Sequence, residues 1–189
     1  MSYVNPKVES SYYENDLGKT IYDFILNKKP NTVVEFGCLY GYSTIAIASA
    51  LRDIGSGKLI CFDLWDDYKY KHSTMSETIA NIKRYALDEY VSFQKKDFND
   101  WLETPNQFDV LHLDISNTGD IVLKAYNKLK KYIDNGSSII FEGGSIERDS
   151  IEWMIKYNAT PINSVKNIVN YKLLNENFPS LSVIEYGKI

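Results

Sequence analysis

The chain has 189 residues, 44% hydrophobic and 24% charged, with a formal net charge of −4; this is the balance of one globular domain able to bury a core. The acidic excess argues against general binding to nucleic acid or to an anionic membrane surface. No apolar run approaches the roughly 20 residues a membrane helix needs, and residues 1–16 show no charged-then-apolar leader pattern.

Ser11, Tyr12, Tyr13 and Glu14 stand at capping-box spacing ahead of a helical stripe of Leu17, Ile21, Phe24 and Ile25, which Pro30 stops. Residues 1–30 therefore read as a helical cap that packs on a sheet or shields a ligand mouth, and residues 31–189 as the core of the same single domain. The stretch TVVEFGCLYGYST (32–44) reads as an apolar strand, a turn punctuated by Gly37 and Gly41, and a helix opening at Ser43 or Thr44. Glycine lets such a turn bend sharply and lets a ligand lie against the backbone. The turn lacks the GxGxxG of dinucleotide folds and the GK[ST] of a P-loop. Residues 58–63 form a second strand, followed by a polar and aromatic connection from Trp65 to His72. Thr74 and Glu77 have capping-box spacing before a helix with Ile79, Ile82, Ala86 and Leu87 inward. Three further strands are expected over 90–94, 108–114 and 136–142. Asn117 or Thr118 caps the helix between the last two, and a helix with Ile151, Met154 and Ile155 inside follows Gly143. Two more strands, 169–174 and 181–186, close the chain. Strands alternating with helices imply a three-layer α/β fold with a mostly parallel sheet, covered on both faces.

In this reading five successive strands end in Glu35, Asp63, Asp97, Asp114 and Glu142. A parallel sheet binds ligands at the edge where its strands end. So many carboxylates there oppose a pyrophosphate and suit a ligand carrying positive charge and hydroxyls. Asp63 is placed to accept from ribose hydroxyls, and as a strand-end acid facing a cleft it is expected to matter little for the fold. The two cysteines, Cys38 and Cys61, lack metal or redox spacing and read as reduced, buried small side chains, as expected of a cytoplasmic protein.

At these residues the chain resembles class I S-adenosylmethionine-dependent methyltransferases, and is similar to their small family-24 type. VVEFGCLYGYST resembles the family's first motif, LICFDLW its acid-ended second strand, and KKDFNDW its adenine-contacting motif. The stretch FDVLHLDISNTGDIVLKAYNKLKKYIDNGSSIIFEGG resembles the family's fourth to fifth strand. The resemblance implies a Rossmann-like sheet of seven strands with the last antiparallel, and S-adenosylmethionine as cofactor. It further implies that Gly37, Leu39 and Gly41, with Ser43 at the helix start, pass against the methionine part, with Glu35 holding the turn from below. Asp63 would bind the ribose, Leu64 and Trp65 would flank the adenine, Asp97 would accept from its amino group, and Phe98 or Trp101 would wall it. Asp114 would face the methionine ammonium and the acceptor.

Methyl transfer needs alignment in a dry pocket, and a base only where the nucleophile must lose a proton. Asp114, His112 and Glu142 are the catalytic candidates, the two acids being placed to share a proton. His72, Gly143 and Arg148 are candidates for holding a small-molecule acceptor, with Tyr68, Tyr70 and Trp65 as a lid. Asp114, Glu142 and Asn117 could supply oxygen ligands to a cation, but the pattern of cation-dependent relatives is absent and no metal is expected. Neither a nucleic-acid nor a membrane partner is expected, and the oligomeric state stays open. Two rivals stand beside this reading: an adenosine-ligand-binding module that keeps the fold but has lost transfer, and a nicotinamide oxidoreductase, which the missing third glycine and the acidic crevice oppose.

Overall fold

The computed structural model describes residues 3–70 and 72–187. Seven strands form one sheet: β1 Thr32–Phe36, β2 Lys58–Asp63, β3 Val91–Lys95, β4 Val110–Leu113, β5 Ser138–Glu142, β6 Lys172–Asn175 and β7 Leu181–Ile184. Their order is β3-β2-β1-β4-β5-β7-β6. β1 to β5 pair in parallel, and β7 runs antiparallel to both β5 and β6. Both sides of the central strands are largely buried, so alternate residues enter two different cores. Val33, Leu59, Cys61, Val110 and Ile140 pack with α1 (Leu17–Lys28) and α2 (Tyr42–Ile54). Val34, Phe36, Phe62, Leu111 and Phe141 pack with α4 (Phe98–Glu103) and α5 (Gly119–Asp134). Among the described residues no helix is long and apolar enough to cross a membrane.

Local sequence explains where several elements begin. Helix α3, Met75–Arg84, opens on Thr74 and Glu77, which make both reciprocal bonds of a capping box. Ser11 and Glu14 do not form the box their spacing suggests. Residues 11–14 are a turn, and α1 begins only at Leu17. Tyr12 is drawn inward instead, where it is 1% exposed. The single helix expected after Gly143 is broken as well. Ser145 caps one turn, α6 (Ile146–Asp149), and the chain restarts as α7 (Glu152–Lys156). Arg148 is bound to Glu142, and Asp149 accepts from the backbone of Ile162 and Asn163 at 2.9 and 2.8 Å. Arg148 ties the first turn to β5 and Asp149 ties it to residues 162–163, and the helix ends there. Ile155, expected inside, is 71% exposed.

Candidate active site

At the C-terminal ends of β1, β2 and β4 lies a cavity of about 360 Å³, within the range usual for small-molecule sites. Its acidic lining is Asp63, Asp97 and Asp114, its apolar lining Phe36, Phe62, Leu64 and Phe98, and its backbone wall Gly37 and Leu39. The aromatic floor is close-packed, with Phe36 5.0 Å from both Phe62 and Phe98 between ring centres. Tyr68, His72 and Ser73 close one side and Ile115, Ser116 and Ile121 another. Lys96 is also in the lining, so the acidic character is weaker than five strand-end acids imply. A smaller chamber of about 50 Å³ adjoins the turn, between residues 9–12 and residues 37–40 and 42–43, with Asp114 again in its wall.

The turn owes its shape to Asp63. One carboxylate oxygen accepts from the backbone N–H of Cys38 (2.7 Å) and Leu39 (3.2 Å), the other from Leu64 (2.6 Å) and Trp65 (3.0 Å). Leu39 stands in the left-handed region at φ 45°, which disfavours an L side chain by about 1–2 kcal/mol. Its carbonyl is fixed in turn by the hydroxyls of Ser73 and Thr78, each at 2.5 Å. Asp63 is thus a structural clasp as well as a cavity residue, contrary to the expectation that the fold would not need it. Gly37, at φ 89°, is required by close approach: a Cβ there would overlap the Asp114 carbonyl oxygen. Gly41 lines neither cavity; its missing Cβ makes room for Ile82 and Thr78 of α3.

Several expected site residues lie elsewhere. Trp65 is wholly buried, donates to Thr78 Oγ1 at 3.2 Å and does not line the cavity, so neither the adenine wall nor the lid includes it. Glu35 precedes the last residue of β1 and points into the core, where Thr44 Oγ1 (2.5 Å), Cys61 Sγ (3.3 Å) and His112 Nδ1 (2.9 Å) surround it. Burial opposes its charge, but the bonds from His112, Ser43 and Thr44 outweigh this and hold its carboxyl below the usual range. His112 is likewise fully buried; burial alone would lower its pKa, yet the Glu35 partnership raises it. It lines neither of the two cavities and is not placed to act as a base. Gly143 and Arg148 are also absent from the cavity wall. A Cβ on Gly143 would meet Ile162, and Arg148 donates through Nε to Glu142 while its guanidinium lies 5.0 Å over the Trp153 ring. Ser43 is buried and reaches only the smaller chamber.

Asp114 is the one catalytic candidate in the wall of both cavities. Its Oδ2 accepts from the hydroxyl of Tyr12 at 2.8 Å and its Oδ1 from Asn117 Nδ2 at 2.6 Å. Asn117, left-handed at φ 42°, also donates to Glu142 Oε2 at 3.0 Å, bridging the two acids. Glu142, 7% exposed, has its pKa pushed up to about 7 by burial and by the neighbouring Asp114 charge, against the pull of Arg148. Burial and the same two carboxylates push the Tyr12 phenol well above its ordinary value, so it stays a donor. The Nε2 of His112, Oδ1 of Asn117 and Nη1 of Arg148 are buried without a protein partner. Sequence alone gave no sign of Tyr12, 102 positions from the acid it holds.

The methyltransferase-domain family model matches residues 34–142, more than half of the chain, from within β1 to the end of β5. The chain belongs to this methyltransferase family. Solved structures agree in fold along almost its full length. Methyltransferase PaMTH1 of Podospora anserina, with bound SAH, superposes at a TM-score of 0.65 with 13% identity, covering 95% of this chain and 80% of that one. The O-methyltransferase TomG of Streptomyces achromogenes, in complex with SAM, gives 0.64 and 14%, covering 95% and 83%. An O-methyltransferase of Bacillus cereus, in complex with SAH, gives 0.64 and 15%, covering 96% and 84%. No curated protein matches the sequence at a significant level.

Proposed function

We propose that the protein transfers the methyl group of S-adenosylmethionine to an oxygen or nitrogen of a small polar acceptor. The observation that carries this reading is the cavity at the strand ends, walled by the glycine turn and bearing Asp63, Asp97 and Asp114 beside an aromatic floor. When bound, S-adenosylmethionine supplies a methyl on a sulfonium, a good leaving group, so the protein has chiefly to align and to exclude water. The donor set fits such a ligand: acids toward its hydroxyls, amines and positive sulfur, and the Phe36, Phe62 and Phe98 rings toward its adenine. Asp97, whose Oδ1 accepts from the Asn99 backbone N–H at 2.7 Å, would face the adenine amino group, and Asp63 the ribose. Asp114, held at both oxygens yet open to the cavity, would take the acceptor's proton. Glu142 would help to position Asp114, because the same Asn117 amide donates to both acids. Support for chemistry without a cation comes from Asn117 and Arg148, which already donate to carboxylate oxygens of Asp114 and Glu142.

Titration calorimetry with S-adenosylmethionine, its demethylated product, NAD and ATP tests the cofactor. Only the first two should bind; equal affinity for NAD would favour an oxidoreductase. With an acceptor in hand, Asp114→Asn should cut turnover about 100-fold or more while changing cofactor affinity little. Cofactor binding with no demethylated product across a broad acceptor panel would mark a binding module without transfer.

A further inference from the structure

Beneath the glycine turn lies a group of side chains that methyl transfer does not use. The parallel register sets Glu35 of β1 opposite Cys61 of β2, and the turn folds Cys38 back toward them. The two sulfurs and a Glu35 oxygen all lie within 4.8 Å of one another, and all three residues are buried. Cys61 Sγ is 3.3 Å from Glu35 Oε2, and Cys38 Sγ is 3.7 Å from the Phe62 carbonyl oxygen. We propose that Glu35, Cys38 and Cys61 form a binding site for a thiophilic divalent ion of the zinc type, with the Thr44 hydroxyl beside the fourth position.

The ligand set decides the class of ion. Two thiolates and one carboxylate suit zinc or cadmium and oppose magnesium and calcium. Bonds of about 2.3 Å to sulfur and about 2.0 Å to oxygen in a tetrahedron place ligand atoms roughly 3.5–3.8 Å apart. The three side chains therefore need to close by about an ångström or less. The carboxylate is already oriented: Oε1 accepts from His112 Nδ1 at 2.9 Å, and Oε2, which accepts from Thr44 Oγ1 at 2.5 Å, lies on the side of the sulfur of Cys61. Such outer support fixes a ligand before the ion arrives. Charge also balances. Each thiol gives up one proton to solvent as its sulfur bonds the ion, so two protons leave as one dication enters. The net charge of the buried cluster is unchanged, which avoids the penalty of adding charge to a core. The bound ion would tie the first residues of the cofactor turn to β1 and β2. Because the cluster is closed to solvent, loading belongs to folding rather than to the finished native state.

The test uses untagged, metal-free, reduced protein, with cobalt(II) present during refolding from urea. One cobalt per chain should give sulfur-to-metal charge-transfer absorption and the strong d–d bands of a tetrahedral ion, both abolished by zinc. Cys38→Ser and Cys61→Ser should each remove the charge-transfer band or greatly reduce it, with circular dichroism checking that each variant folds. Should a variant fail to fold, cadmium NMR on the parent chain reads the two sulfur ligands directly. The site is overturned if refolded parent protein shows no charge-transfer band, or if the band survives in both serine variants. Neither measurement involves the cofactor, so the proposed methyl transfer stands or falls separately.

Discussion

At the scale of single residues, the carboxylates divide into those that build the site and those that face it. Asp63 does both. Charge-assisted hydrogen bonds are worth about 1.5–3 kcal/mol each, and a buried donor left without a partner costs about 1–3 kcal/mol. Asp63→Ala strands the N–H groups of Cys38, Leu39, Leu64 and Trp65. It should lower unfolding free energy in urea by about 2–4 kcal/mol, as well as weakening cofactor binding. A variant as stable as the parent would mean that the clasp does not hold the turn. Glu142 provides a pH signature. Its folded pKa of about 7 lies above the ordinary 4.5, so between those values the native state keeps a proton that the unfolded chain has lost. Its contribution to stability is complete below about 4.5 and disappears as pH rises through 7, with a slope of at most about 1.4 kcal/mol per pH unit. His112, raised by Glu35, adds a slope of the same sign. Urea unfolding from pH 5 to 8 should therefore show stability falling with pH, and Glu142→Gln should flatten part of the fall. Asp114→Asn, by removing the neighbouring charge, should move that part to lower pH. A profile identical in all three proteins would contradict the coupling.

At the scale of elements, residues 3–16 are the least regular part of the site and tie together much of it. Lys7 donates its backbone N–H to the Tyr85 hydroxyl at 2.6 Å, the Tyr42 hydroxyl donates to the Tyr12 carbonyl at 3.2 Å, and Asn15 Nδ2 donates to the Phe178 carbonyl at 2.7 Å. Tyr12 is the link to chemistry, since its hydroxyl holds Asp114. Tyr12→Phe removes one hydrogen bond to a charged group and keeps the ring, so about 1–3 kcal/mol of stability should be lost. Amide exchange should quicken over residues 8–13 while the sheet keeps its protection. Uniform loss of protection would instead make Tyr12 an ordinary core residue. This segment also marks the limit of what sequence patterns convey. Thr74–Glu77 and Ser11–Glu14 carry the same spacing, but only the first pair has a helix behind it without a competing burial demand on the residue between. The central strands were legible because they are short, nearly continuous apolar runs. The 146–156 region was not, because Arg148 and Asp149 are drawn to partners on β5 and around residue 162, which no local periodicity encodes.

At the scale of the molecule, sheet order decides what the cavity contains. β1 lies between β2 and β4, so the turn after β1 meets Asp63 on one side and Asp114 on the other. The resemblance to methyltransferases rested on motifs in sequence order, and the family match over residues 34–142 bears it out. Reading five strand-end acids as a single row was too simple, since Glu35 and Glu142 are enclosed by their own partners and three acids reach the cavity. A ligand wedged between Asp63, Asp97 and Asp114 contacts loops after β2, β3 and β4 together, so its binding should be felt by global unfolding rather than by one loop. A ligand at about 100 times its dissociation constant adds about 2.7 kcal/mol, and in a domain of this size 1 kcal/mol raises Tm by roughly 2–4 °C. S-adenosylmethionine or its demethylated product should therefore raise Tm by about 5–11 °C in one cooperative transition. NAD and ATP should leave Tm within error, since the cavity has no Gly-rich phosphate cradle. Stabilisation by NAD, or a ligand-induced second transition, would show that the cavity serves another ligand or that the loops do not act together.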